Sequence, residues 1–210
     1  MSRSIRGALG GSRLLEQPQY AGELAARRTA LQAPKVLVEV GFDHGFRLLD
    51  TARRHPDWQV VGMEVRRRRV QEVVTAAAEA GLNNLLPWRV DARIVFAGYT
   101  PEASLDVVEV YFPTPWWHPG RREKRLLVTP DFVADVARAL RVGGLFLLQT
   151  DVPMTAEAIE QALASAPELS PDPGAWSDRP AIDARSRRER KCAREHVNVF
   201  RFALRKGGCL

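Results

Sequence analysis

The stretch Val36-Leu37-Val38-Glu39-Val40-Gly41-Phe42-Asp43-His44-Gly45 decides the fold. Val36–Val40 is a short apolar, β-branched run of the kind that a parallel strand covered on both faces requires. Gly41 and Gly45 punctuate it, and Phe46–Arg54 then reads as a helix. Moving outward, residues 59–65 read as the next strand. Val70, Val73, Val74, Ala77 and Ala78 fall on one helical face, with Gly81 placed to cap that helix at its C-terminus. Residues 85–90 and 105–112 are further strands. Thr129-Pro130 reads as an N-cap followed by proline at the first helical position, and Phe132, Val133, Val136, Ala137 and Leu140 form the buried stripe behind it. Gly143-Gly144 is expected to end that helix, with a fifth strand at 145–150, a helix at 155–164 and a strand-like tail at 196–204. Residues 166–181 hold four prolines and read as a connector. Strands alternating with helices imply a parallel sheet with right-handed crossovers, a doubly wound α/β domain. Ligands bind such sheets beyond the carboxyl ends of the strands, where the strand order reverses.

A chain of 210 residues fits one domain plus short extensions. Residues 1–33 are rich in Gly, Arg and Gln and weakly periodic, which suggests a flexible arm with one helix near 21–31, ahead of a domain at 34–210. Apolar residues make up 45% and charged residues 27%, normal for a globular protein. No apolar run approaches the roughly 18–20 residues of a membrane span. The N-terminus lacks an apolar core followed by a small-residue cleavage site. Cys192 and Cys209 make neither a disulfide framework nor a metal spacing, and the four histidines are scattered. A cytoplasmic protein with no structural metal is therefore expected. The net charge of +6 and pI near 9.9 favour polyanions such as nucleic acid as partners. Whether the chain is a monomer or a homodimer stays open.

The acids at the strand ends carry the chemistry. A carboxylate inside an apolar strand, as Glu39 is, costs free energy unless it is paired, and a ligand's amine is a suitable partner. Gly41 and Gly45 let the backbone turn tightly and approach a ligand, and the amides of the following helix point at it. Glu64 ends strand two, 64 − 45 = 19 residues after the second glycine, a spacing suited to a ribose diol. Its alternative is a helix-start charge among the arginines at 66–69. Asp91 follows strand three on the same edge, where many strands end in aspartate. Acids at the ends of three successive strands suit a nucleoside carrying an amino-acid group, and S-adenosylmethionine is such a molecule.

The motifs VEVGFDHG, GMEV, GLNNL and DAR resemble the first three motifs of class I methyltransferases. Tyr111-Phe112-Pro113-Thr114-Pro115-Trp116, followed by Arg121-Arg122-Glu123-Lys124-Arg125, is similar to the signature of bacterial tRNA (guanine-N7)-methyltransferases, Phe-Phe-Pro-Asp-Pro-Trp and a basic cluster. Val128, Pro130, Phe132, Gly143-Gly144 and Thr150-Asp151 fit the same family, and Ser186-Arg187-Arg188-Glu189 stands where it has Thr-x-x-Glu. The resemblance spans about residues 36–205 in order. It implies a Rossmann-like, doubly wound class I methyltransferase fold, with a mainly parallel seven-stranded sheet and an antiparallel C-terminal strand. It implies S-adenosylmethionine as cofactor, held by Glu39, Gly41, Gly45, Glu64, Asp91 and Thr114. It places Thr114 and Asp151 in the catalytic centre. Asp151, His118, Arg121, Arg122, Ser186, Arg187, Arg188 and Glu189 would contact a tRNA substrate.

The chain departs from that pattern on the substrate side. The signature aspartate is Thr114, Trp117-His118-Pro119 displaces the lysine after Trp-His, Arg188 replaces an aromatic, and Val152-Pro153 replaces Trp-Glu. Guanine N7 has an exposed lone pair and loses no proton on methylation, so the reaction needs positioning and desolvation rather than a strong base. Loss of a carboxylate at Thr114 therefore removes no obligatory proton acceptor. Basic residues at 121–125 and 185–191 would face phosphates. Trp116 and Trp117 either stack on a base, worth about 1–3 kcal/mol each, or plug their loop onto the domain. Three readings stand: methylation of guanine N7 in tRNA, a diverged methyltransferase acting on another RNA or a small molecule, and a catalytically weak RNA-binding relative.

Overall fold

A computed structural model describes residues 26–114, 126–178 and 184–208. Seven strands form one sheet in the order β3-β2-β1-β4-β5-β7-β6. They are β1 (Val36–Val40), β2 (Gln59–Glu64), β3 (Leu85–Arg89), β4 (Leu105–Tyr111), β5 (Leu140–Thr150), β6 (Leu169–Pro171) and β7 (Phe200–Lys206). Strands β1 to β5 pair parallel, and β7 runs antiparallel between β5 and β6. The parallel sheet is covered on both faces, as the unbroken burial of β1 requires. One core holds Val38, Val110, Phe96, Phe132 and Ile159; the other holds Leu37, Leu48, Val73 and Val107.

Helices α1 (Phe46–Arg54), α2 (Arg67–Glu79), α3 (Ala92–Gly98), α4 (Pro130–Ala139), α5 (Pro153–Leu163), α6 (Ala175–Asp178) and α7 (Arg187–Arg194) connect the strands. Their ends follow local chemistry. Thr129 caps α4 by accepting from the Phe132 N–H, with Pro130 in the first turn. Gly81, at φ +64°, closes α2, and the Leu82 N–H reaches back to the Ala77 carbonyl. Gly62 in β2 has a packing reason: a Cβ there would lie 2.4 Å from a Leu48 methyl and 2.7 Å from the Phe42 ring. This lets α1 and its loop press onto the sheet beside β1.

Several expected boundaries move. Helix α4 ends at Ala139, and Leu140 is extended (φ −69°, ψ 141°), so Gly143-Gly144 lies within β5 instead of ending a helix. The glycines serve a register shift in the β4–β5 pairing between Leu105 and Val107, where a Cβ on Gly144 would sit 2.8 Å from the Arg141 carbonyl oxygen. The expected connector at 166–181 contains β6 and α6, both too short to show a period. Val74 and Ala78 are exposed, because α2 rests on the sheet through the narrower stripe Val70, Val73 and Ala77. The last strand begins at Phe200, after an exposed turn in which His196 has φ +53°. Residues 26–30 are helical, Leu31 is fully buried, and the Arg27 guanidinium lies 5.0 Å from the Trp88 ring centroid.

Candidate active site

The strand order reverses between β1 and β4, and the carboxyl ends of two such strands are where doubly wound sheets bind ligands. Gly41 (φ +78°) and Gly45 (φ +68°) turn the chain there from β1 into α1. Gly45 admits no side chain, since its Cβ would meet a Val73 methyl at 2.4 Å. On the other side Phe112 leaves β4 with φ +51°, an uncommon conformation for a bulky residue, held by its N–H to the Gln149 carbonyl at 2.7 Å. That turn carries Pro113 and an exposed Thr114 to the rim.

The three strand-end acids do line this edge, in different states. Glu64 is buried and takes Arg66 as partner: the Arg66 backbone N–H at 2.9 Å and two guanidinium N–H groups at 3.1 Å. Arg66, half exposed, also reaches Asp43 at 2.9 Å. Asp91 caps α3 by accepting from the Arg93 N–H at 3.0 Å, and the Arg93 guanidinium grips it again at 2.6 Å. Its helix-capping role and its place at the rim coexist. Among the described residues, no hydrogen bond reaches the Glu39 carboxylate.

Glu39 instead belongs to a buried charge cluster on the α1 face of the sheet. It stands in register with Glu109 on β4 on one side and Gly62 on β2 on the other. Arg47, 3% exposed, projects from the first turn of α1 to Glu109 at 3.3 Å and to Glu189 at 3.7 Å. Its guanidinium also lies 4.3 Å from the Tyr111 ring centroid. Burial pushes the Glu39 carboxyl up to about 8, against the pull of Arg47, and the charges of Glu109 and Glu189 push the same way. Glu189 moves down: burial opposes this, but Gln149, the charge on Arg47 and the Ser186 N–H outweigh it.

Ser186 and Glu189 form a reciprocal capping box at the start of α7, with the Ser186 N–H to Glu189 at 2.7 Å and the Glu189 N–H to the Ser186 hydroxyl at 3.1 Å. Arg188 ion-pairs with Asp151 just past β5. Arg187 reaches the His44 ring at 2.8 Å, and Arg190 lies 4.9 Å from the Phe46 centroid. Helix α7 thus reaches the turn after β1 through Arg187 and Arg190, which brings Ser186–Glu189 near Gly41–Gly45. His118, Arg121 and Arg122 lie outside the described residues, as do Trp116, Trp117, Lys124 and Arg125.

Arg47 and Glu109 join this cluster, although the motifs do not single them out. Glu109 sits in an apolar strand as Glu39 does, so the same cost argument applies to it. Arg47 shares a helical face with Leu48, Thr51 and Ala52, which is the signal that it turns inward. Among the described residues no cluster of His, Cys, Asp and Glu could hold a metal ion, and no helix is long and apolar enough to cross a membrane.

Comparison with known proteins defines the class: residues 33–202 match the family described as "Putative methyltransferase", and the chain belongs to it. Among curated relatives, the tRNA (guanine-N(7)-)-methyltransferase of Saccharophagus degradans is 35% identical over 157 residues, covering 75% of this chain and 66% of that protein. The one from Yersinia enterocolitica is 39% identical over 135 residues, covering 64% and 56%. The chain therefore spans between half and two thirds of the length of these relatives. Of solved structures, the 16S rRNA methyltransferase KamB superposes with a TM-score of 0.61 at 19% identity, covering 90% of this chain and 94% of that one. That likeness establishes the fold: a class I methyltransferase sheet, mostly parallel, with an antiparallel strand near its C-terminal end.

Proposed function

We propose that the protein transfers a methyl group from S-adenosylmethionine to N7 of a guanine in tRNA, in the cytoplasm. The observation that carries this reading is the row of three carboxylates, Glu39, Glu64 and Asp91, at the carboxyl ends of adjacent parallel strands, beside a glycine turn. The names of the curated relatives support the tRNA substrate.

The residues fit the cofactor. Glu39 is a buried acid without a hydrogen bond among the described residues, which suits a cationic ligand group. Glu64 suits a ribose diol once Arg66 swings out, and Arg66 is exposed enough to do so. The cofactor, when bound, supplies an electrophilic methyl group. The chain's own residues then orient and desolvate. Asp151 and Glu189 would accept N–H groups from the guanine edge, after Arg188 gives up Asp151. No residue needs to remove a proton, which makes Thr114 compatible with turnover. Arg187, Arg190 and the basic residues at 121–125 would hold phosphates.

The test incubates the protein with labelled S-adenosylmethionine and unmodified tRNA and maps the modified base. Label at a single guanine N7 is the expected result. Cofactor binding with no transfer to any RNA would overturn it in favour of a weak RNA-binding relative, and transfer to a small-molecule pool in favour of a diverged enzyme.

A further inference from the structure

We infer that Arg47 is a positioning residue that takes Glu109 and Glu189 as its partners, and so keeps Glu39 vacant as the berth for the cofactor's positive charge. This rests on the cofactor reading above. The buried cluster holds three carboxylates and one guanidinium. Glu39 and Glu109 stand side by side on neighbouring strands, and their registered positions put both on one face. A guanidinium has donors enough to bridge both, but this one makes no hydrogen bond to Glu39 and leaves its own buried Nε–H without a partner among the described residues. Its terminal nitrogens reach Glu109 at 3.3 Å and, in the first turn of α7, Glu189 at 3.7 Å, so Glu39 feels its charge without a direct bond. The groups that face Glu39 are then Glu109 from β4, Arg47 from α1 and Glu189 from α7, with uncharged Gly62 on β2.

The arrangement has a consequence for protons. Two neighbouring buried carboxylates with one shared cation keep a proton on one of them, and Glu39 is the one pushed upward, to about 8. A cation entering beside Glu39 favours its ionised form, so binding near neutral pH expels that proton. Below a pH of about 8, affinity then rises by up to tenfold per pH unit, the limit for one coupled proton.

Glu109→Gln tests this without altering shape. It frees Arg47 to pair with Glu39, which fills the berth internally. The probe is S-adenosylhomocysteine, which retains the ammonium and undergoes no transfer. Calorimetry at pH 6.5 in buffers of different ionisation enthalpy counts protons. Wild type is expected to release close to one proton per ligand bound. Glu109→Gln is expected to release almost none and to bind about tenfold more weakly, and Glu39→Gln is expected to release almost none. Cooperative thermal melts of both variants report that each is folded. Should Glu109→Gln fail to fold, the wild-type and Glu39→Gln proton counts still decide the matter. Wild-type binding without proton release overturns the proposal, as does a Glu109→Gln variant with wild-type affinity and count. Failure of the wild type to bind the probe at all overturns the cofactor reading itself, and this inference with it.

Discussion

The two sides of the carboxyl-terminal edge hold their acids in different ways. On the β2–β3 side the partners are local: Glu64 and Asp91 each take a guanidinium from two residues further along the chain. On the β4–β5 side the partners are distant: Arg47 meets Glu109 across 62 residues, and Arg188 meets Asp151 across 37. A local pair opens when one exposed side chain swings away. Of the distant pairs, Arg47–Glu109 is buried on both sides and opens only if a helix shifts or a charge is stranded, whereas Arg188 is 44% exposed and can swing away as Arg66 can. If the edge binds a ligand as proposed, Glu64, Asp91 and Asp151 can exchange an arginine for it, while Arg47 stays fixed between Glu109 and the start of α7. Glu39 stands between the two sides and follows neither rule.

The largest expected effect is therefore at Glu39. Glu39→Ala should weaken S-adenosylmethionine binding about a hundredfold, the worth of a desolvated charged contact of roughly 3 kcal/mol. Unchanged affinity by calorimetry would refute the assignment. The same residue makes a stability prediction for the ligand-free protein. Its folded value near 8 lies above the ordinary 4.5, so the native state holds a proton that the unfolded chain releases between those values. This contribution is full below about pH 4.5 and is lost as pH rises through 8. Thermal melts of wild type should thus show a fall in stability across that window that Glu39→Gln lacks. A parallel fall in both proteins would show that other groups cause it.

A smaller effect is expected on the distant side. Arg188→Met strands the nearly buried Asp151, so chemical denaturation should show a loss of about 1–2 kcal/mol. Amide exchange should quicken in α7 more than in α2. Uniform quickening would mean that Arg188 does not pin the helix, and the contrast would then rest on Arg47 alone.

Most of the fold was legible because buried parallel strands and glycine turns announce themselves over five or six residues. Leu140 misled because it is fully buried either as the last turn of α4 or as the start of β5, and a burial stripe does not distinguish these. Strand β6 has three residues and exists through its pairing with β7, which no local pattern encodes. For the site, Glu39 stood out by its cost in an apolar strand. Arg47 did not, because what draws an arginine inward is a pair of carboxylates 62 and 142 residues away (109 − 47 and 189 − 47). Ser186 and Glu189 stood out only by family likeness; that Ser-x-x-Glu is also a capping-box pattern emerged only from the structure, which uses it to start α7.

The smallest effect probes the local side. Before a ribose diol reaches Glu64, Arg66 must give up its two guanidinium contacts at 3.1 Å. Arg66 is 54% exposed on its side chain, so water replaces much of what it loses. Pairs of this kind are worth about 0.2–1 kcal/mol, which corresponds to a factor of roughly 1.4 to 5 in an equilibrium constant. Arg66→Ala removes that competitor but leaves its backbone N–H on Glu64, so the carboxylate stays oriented. Cofactor affinity should therefore rise by a few-fold, with the gain shrinking at high salt as the ion pair is screened. A loss of tenfold or more would mean that Arg66 itself holds the ligand, and that the local pairs are fixed parts of the pocket in the same sense as Arg47–Glu109.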